Sequence, residues 1–349
     1  MIPVQNVYYM LTYAFKTLNE QGYKRIATEE FNNIAGLMAA ILAKGIAIQL
    51  KRGLGKEYIY QAEEQSSLRG KIDIAESIKT QSILRKRLVC TYDDFSVNSA
   101  MNRIIKSTLG LLLKADISPS TKKELRKLMM FFSDVTPIDL YTVNWHMQYS
   151  RNNQYYQMLI SICYLVVKGL LQTNADGTMK LMDFLDEQRM CRLYEKFILE
   201  YYKKHYPELT VSASQIPWSL DDGIGTMLPV MQSDIHLQRG NTVLIIDAKY
   251  YSHTIHARFD KPTICSNNLY QIFTYVKNRS YQFGEVENTV SGMLLYAKTE
   301  EEIQPDNVYR MHGSQISVKT LDLNLPFVDI ASQLDRIVES HFAGLTRAY

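Results

Sequence analysis

The spacing of hydrophobic residues changes character a little past the middle of the chain. Before residue 175, long stripes at helical spacing surround a short extended stretch. NVYYMLTYAFKTL (6–18) carries apolar residues at 7, 8, 11, 14, 15 and 18, which predicts a helix. NIAGLMAAILAKGIAIQLKRG (33–53) predicts a buried helix running to Gly53. EYIYQAEE (57–64) and the segment 67–78 read as extended, with a turn at Arg69-Gly70. NSAMNRIIKSTLGLLLKAD (98–116) is strongly amphipathic: Asn98 or Ser99 can cap it, and Ile104, Ile105, Leu109 and Leu112 line one side. SPSTKKELRKLMMFF (118–132) has a Ser-Pro start and a basic outer face, and 153–171 reads as another buried helix.

TNADGT (173–178) is the best linker candidate, and beyond it lies a long helix over 183–207, stopped by Pro207. From there short strand-like runs (209–216, 233–238, 242–251, 290–297 and 314–323) alternate with helical stretches around 266–279 and 328–343. That alternation predicts an α/β (α+β) domain with a central sheet flanked by helices, behind a mixed α+β N-terminal domain. A division into 1–178 and 179–349 follows, and 349 residues at about 150 per domain agree with two.

With 46% hydrophobic and 21% charged residues the chain is composed like a folded globular protein, which excludes disorder. A net charge of +3 is too small to argue by itself for a nucleic-acid partner. Cys90, Cys163, Cys191 and Cys265 form no CxxC or CxxH pair, so neither a zinc site nor a disulfide framework is expected. The first residues lack the basic start and cleavage site of a signal peptide, and MLISICYLVV (158–167) is too short to span a bilayer; the reducing cytoplasm is the expected location.

Candidate chemistry concentrates in VMQSDIHLQRGNTVLIIDAKYYS (230–252). Two strand-like runs flank Arg239-Gly240-Asn241, a tight-turn sequence, so the segment predicts a β-hairpin. With a loop over 239–242, Gln238 faces Val243 and Asp234 falls opposite Asp247. Lys249, two positions beyond Asp247, shares its face. Two carboxylates that close repel unless one takes a proton or a cation sits between them. A hard divalent ion, Mg²⁺ above all, suits Asp234, Asp247 and the backbone carbonyl of Ala248, and would serve phosphodiester hydrolysis with Lys249 orienting the attacking water. The plainer alternative is that Asp234 solvates a strand end and Asp247–Lys249 is a surface ion pair.

An Asp, twelve intervening residues and Asp-Ala-Lys, in a hairpin between two helices, resemble the PD-(D/E)xK nuclease superfamily. That resemblance implies that Asp234 and Asp247 ligate the metal and that Lys249 is catalytic. Ser233 stands where the superfamily name has proline, with Pro229 nearby. Further segments carry a more specific likeness: 2–14, LRGKIDIAESI (68–78), 91–109, LYEKF (193–197), 234–251 and NLYQIFTYV (268–276) resemble, in order and at similar spacing, the McrC family of nuclease subunits in bacterial McrBC modification-dependent restriction systems. The family implies a partner, a McrB-like hexameric AAA+ GTPase that recognises double-stranded DNA carrying modified cytosine, docked through the N-terminal region and stimulated by it. In keeping with that, Gly53-Leu54-Gly55-Lys56 is no Walker A loop: position 50 is Leu, and Glu57 follows the lysine, so GTP would be bound by the partner.

Superfamily members often carry a glutamate on the helix before the hairpin; Glu195 and Glu200 are the candidates, each with a solvated helix position as the alternative. Gln271 on the following helix stands where related nucleases place a glutamine. His253, His256, Arg258 and Lys261 could meet phosphates. Arg85-Lys86-Arg87, Lys122-Lys123 and Arg126-Lys127 read first as solvated faces, and Arg69 is a turn residue that could reach the partner. Two other functions stay open at this level, a non-catalytic adaptor regulating an AAA+ NTPase and a stand-alone nuclease.

Overall fold

The computed structural model describes residues 2–19, 23, 26, 31–150, 153–173, 179–181, 187–251, 255–258 and 261–348. The chain divides into two units, Asn33–Phe184 and a second that joins Met1–Asn32 to Leu185–Tyr349. The expected division at 178/179 therefore needs a correction at the N-terminus: the first 32 residues fold with the C-terminal unit. Helix α1 (Val4–Ala14) shows why. Asn6 Nδ2 donates to the carbonyls of Leu323 and Leu325 at 2.7 and 2.8 Å, and the rings of Tyr9 and Tyr13 stack on Phe327. An apolar stripe predicts that a helix will be covered but not by what. The expected 6–18 helix also breaks after Ala14, continuing as a 3₁₀ turn over Lys16–Asn19.

In the Asn33–Phe184 unit, α2 (Ile34–Arg52) begins where Asn33 Oδ1 accepts the Gly36 N–H at 2.8 Å, and ends at Gly53, whose φ of 87° suits glycine. By length and composition α2 could cross a membrane, yet Leu37, Met38, Ile41 and Leu42 are buried inside the unit. Strands β1 (Glu57–Gln65), β2 (Lys71–Ile72) and β3 (Leu88–Ser96) form an antiparallel sheet in the order β1-β3-β2. Between β2 and β3 lies a second departure: Ile74–Lys79, expected to be extended, is a helix (α3). Asp73 caps it, its carboxylate accepting the Glu76 N–H at 3.0 Å, and the Asp-x-x-Glu spacing was the overlooked signal.

Helix α4 (Ala100–Lys114) starts at Ser99 and α5 (Pro119–Met129) at Ser118, each cap side chain accepting a backbone N–H of the first turn. The apolar run expected as one helix over 153–171 forms α6 (Tyr156–Tyr164), widens into a π-helical turn at Leu165–Leu170, and passes into β4 (Leu171–Thr173), which pairs with β5 (Met179–Leu181). Linker residues 174–178 lie outside the described residues.

The second unit continues with α7 (Glu187–His205), ending just before Pro207, then β6 (Thr210–Ser212), β7 (Gln215–Ile216), β8 (Met231–Gln232), β9 (Ile235–Arg239) and β10 (Thr242–Lys249). A small hairpin, β11 (Ile255–Arg258) and β12 (Lys261–Ile264), precedes α8 (Ser266–Tyr281). Strands β13 (Thr289–Ala297), β14 (Asn307–Met311) and β15 (Ser314–Leu321) and helix α9 (Phe327–His341) follow. Six strands form a mixed sheet in the order β14-β15-β13-β10-β9-β6, with β13 parallel to both β10 and β15. The alternating residues Val243 and Ile245, Leu294 and Tyr296, and Ile316 and Val318 pack with Ile272, Tyr275 and Val276 of α8. Gly292 makes that approach possible, since a Cβ there would stand 2.8 Å from both Ile272 and Val276. This fold is a mixed α/β sheet flanked by helices.

Candidate active site

The β9–β10 hairpin turns through Gly240-Asn241, with Arg239 paired to Thr242 and Gln238 to Val243. The loop is shorter than the expected 239–242 because those end residues join the ladder, and the register is the expected one. Gly240 supplies the positive φ (57°) that a two-residue turn requires. The ladder ends at the pair Ile235–Ile246; Asp234 and Asp247 are the next residues along the chain on either side, and their carboxylates interact. Asp234 takes the place of a strand partner here: its Oδ2 accepts the Ala248 N–H at 2.9 Å.

Asp247 is 1% exposed, at the end of four buried apolar residues, Val243 to Ile246. A carboxylate in such a place must be compensated. Lys249 Nζ lies 2.8 Å from its Oδ2, and this charge-assisted contact supplies the compensation. Burial opposes the Lys249 ammonium, yet the Asp247 carboxylate, with Asp234 behind it, outweighs burial and holds its pKa above that of an ordinary lysine. Asp234 responds oppositely. Burial, then the Asp247 carboxylate, then Glu195 push its pKa up to about 8, against the pull of Lys249 and the Ala248 N–H. In isolation this cluster holds more negative charge than its surroundings stabilise.

Helix α7 settles which glutamate belongs to the site. Glu195 shares an open cleft with Asp234, Ser233 and Gln232 and accepts from Cys191 Sγ at 3.1 Å. Burial and the Glu195 carboxylate raise the Cys191 thiol to about 12, keeping it protonated as that donor. Glu200 instead pairs with Lys203, 2.7 Å away on the same helix. Both glutamates lie at the edge of the buried stripe of α7 (193, 194, 197, 198, 201), and it is Glu195, with Arg192, Lys196 and Leu199, that lines the cleft. On the α8 face, Tyr251 lies near Lys249 and its ring is 6.2 Å from that of Tyr296, whose hydroxyl accepts from Asn268 Nδ2 at 2.9 Å.

Gln271 is not brought to this cluster: it donates to Tyr275 at 2.9 Å in a shallow groove with Trp218 and Tyr270. His253 lies outside the described residues, as do the side chains of His256, Arg258 and Lys261. In the other unit, Arg69 is occupied, donating to Asp94 at 3.0 Å and stacking over Tyr92, while Arg85 pairs with Glu64. Cys90, Cys163, Cys191 and Cys265 are free thiols.

Whether the cluster suits a metal can be judged from its donors. Among the described residues no three His, Cys, Asp or Glu side chains are grouped to hold an ion. Two carboxylates are grouped, both oxygen donors, and their repulsion, with burial, raises the Asp234 pKa to about 8, so a cation between them would relieve it. That fits Mg²⁺, which binds through one or two carboxylates and keeps its remaining positions for water and phosphate.

Fold and site together define an α/β protein with a carboxylate pair and a lysine at the end of a mixed sheet. The chain belongs to the family of McrBC 5-methylcytosine restriction system components, whose model matches residues 4–297. It is 28% identical over 347 residues to the "Type IV methyl-directed restriction enzyme EcoKMcrBC" of Escherichia coli (strain K12), covering 98% of each chain. Two solved structures are also similar. One, a half-complex of Thermococcus gammatolerans McrB AAA+ hexamers with bound McrC, matches with a TM-score of 0.48 and 17% identity over 95% of this chain and 76% of that one. The other, the McrBC complex of the same organism, matches with a TM-score of 0.40 and 20% identity over 58% of each chain.

Proposed function

We propose that this chain is the DNA-cleaving subunit of a GTP-dependent, modified-cytosine-directed restriction complex, and that it hydrolyses phosphodiesters with Mg²⁺ at a PD-(D/E)xK site. The observation that carries the reading is Asp234 beside Asp247 and Lys249: burial and the Asp247 carboxylate raise the Asp234 pKa to about 8, and the Lys249 ammonium lies 2.8 Å from Asp247 Oδ2. Asp234 and Asp247 would hold the ion, joined by the Ala248 carbonyl. Bound Mg²⁺ supplies Lewis acidity towards a phosphoryl oxygen and a lower pKa for coordinated water.

The chain's own residues account for the rest. Lys249 stays charged through its contact with Asp247 and presents N–H donors to the attacking water and the phosphate. The Ala248 N–H fixes the Asp234 carboxylate against the strand, so the two acids are oriented before substrate arrives. Buried apolar residues on β10 shield the floor of the site from bulk water and strengthen these charges.

Family membership supports a McrB-like AAA+ GTPase hexamer as partner and modified DNA as target; with no P-loop in this sequence, GTP hydrolysis falls to that partner. Four free thiols suit the cytoplasm as the place of action. The test is cleavage of methylated DNA by the chain reconstituted with its partner, GTP and Mg²⁺, beside a variant carrying both Asp247→Ala and Lys249→Ala. Loss of cleavage in the variant supports the assignment. Undiminished cleavage would remove the site, and GTPase stimulation without any cleavage by the unsubstituted complex would favour the adaptor.

A further inference from the structure

The cleft beside Asp234, of about 400 Å³, has a mixed wall. Its floor is acidic, with Asp234 and Glu195, while Arg192 and Lys196 line it from the same face of α7, at positions one helical turn apart. Lys196 is held in an unusual way. Its ammonium lies 4.6 Å from the centre of the Phe15 ring, and among the described residues it makes no hydrogen bond or ion pair. A cation parked on an aromatic face keeps all three N–H donors available. Phe15 directly follows α1, so the ring comes from the N-terminal segment that folds with this unit.

A negative ligand entering this cleft meets two carboxylates unless a fixed positive charge flanks them. Resting on the nuclease reading above, we propose that Lys196, positioned by Phe15, anchors a backbone phosphate of the DNA strand next to the one cleaved at Asp234 and Asp247. The N-terminal segment would thereby complete the substrate cleft. The contact is electrostatic and independent of sequence, so it sets how tightly the strand is held and leaves the chemical step alone.

The test measures DNA cleavage by the full chain, assembled with its GTPase partner, across a series of DNA and salt concentrations. Lys196→Ala should raise KM about tenfold, the size of one charge-assisted contact, with little change in kcat. It should also flatten the dependence of log(kcat/KM) on log salt by about 0.9, the signature of one lost phosphate contact. Lys196→Arg should restore both. Phe15→Leu, which keeps the charge and removes the ring face, should raise KM to a smaller extent and leave the salt slope intact. A Lys196→Ala complex with unchanged KM and salt slope overturns the proposal while the nuclease reading stands. Raised KM with an unchanged slope also overturns it, pointing to a structural role. If the unsubstituted complex cuts no DNA, the nuclease reading fails and this inference falls with it.

Discussion

The two units bury different kinds of residue. Among the described residues of Asn33–Phe184 the buried polar side chains are uncharged: Ser77, Ser82, Ser99, Asn102 and Thr108. They serve the fold, as where Tyr156 donates to Asn102 Oδ1 at 2.8 Å while Asn102 Nδ2 donates to the carbonyls of Gly55 and Val97. The unit's sheet leaves aromatic side chains in solvent, Tyr58 and Tyr60 at 75% and 68% exposure with Phe95 across the ladder from Tyr58. The other unit also encloses titratable groups: it buries His205, His236 and Asp247, and keeps Asp234 and Lys249 half-enclosed beside Asp247. Enclosed charge raises interaction energies and shifts proton affinities, which chemistry needs; a neutral core under an aromatic surface suits contact with other molecules.

That contrast predicts separable failures. The largest belongs to Asp247→Ala, which should lower DNA cleavage by at least about a hundredfold while stimulation of the partner's GTPase stays at the wild-type level. Parallel assays on one reconstituted complex check it, and joint loss of both activities would erase the contrast. Next come two glycines, one per unit. Gly292→Ala forces a Cβ to 2.8 Å from Ile272 and Val276, and Gly70→Ala places one 2.3 Å from the Thr91 carbonyl at a φ of 71°. Each should cost about 1–3 kcal/mol, read by calorimetry as a downward shift of its own unit's unfolding transition.

The acidic pair gives a smaller effect of opposite sign. A carboxyl whose folded pKa is about 8, against 3.8 as the ordinary value, binds its proton more tightly in the native state. Its contribution to stability is complete below pH 3.8 and is lost as pH rises towards 8 and beyond. Asp234→Asn, which cannot ionise, should therefore raise the stability of the metal-free chain at pH 8 by about 1–2 kcal/mol while abolishing cleavage. Adding Mg²⁺ should raise the melting temperature of the unsubstituted chain and leave that of the variant unmoved; equal shifts in both would argue against Asp234 as a ligand. Smallest is Ser99→Ala, which removes the cap of α4 and should cost about 1 kcal/mol, seen in the denaturant-unfolding transition of the Asn33–Phe184 unit.

Local signals made much of this legible in advance. Asn33, Ser99 and Ser118 mark helix starts because a side-chain oxygen can satisfy a first-turn N–H within three residues. The pairing of Asp234 with Asp247 was legible because a tight turn at Gly240-Asn241 sets the register of both strands, and register alone decides which side chains face each other. Such features depend on neighbours along the chain or across one turn.

What tertiary structure decided involves partners far away in sequence. That α1 covers the C-terminal unit depends on Leu323, Leu325 and Phe327, more than 300 residues away, and an apolar stripe carries no record of its cover. Glu195 and Glu200 look alike along α7; only the position of Asp234 across the cleft makes one a neighbour of the acidic pair, leaving the other to Lys203. The proton affinity of Asp234 likewise arises from burial and from charges brought together by α7 and β10. Periodicity, caps and turns are short-range and can be read from the chain, whereas burial and electrostatic fields sum over everything that packs nearby and exist only once the chain has folded.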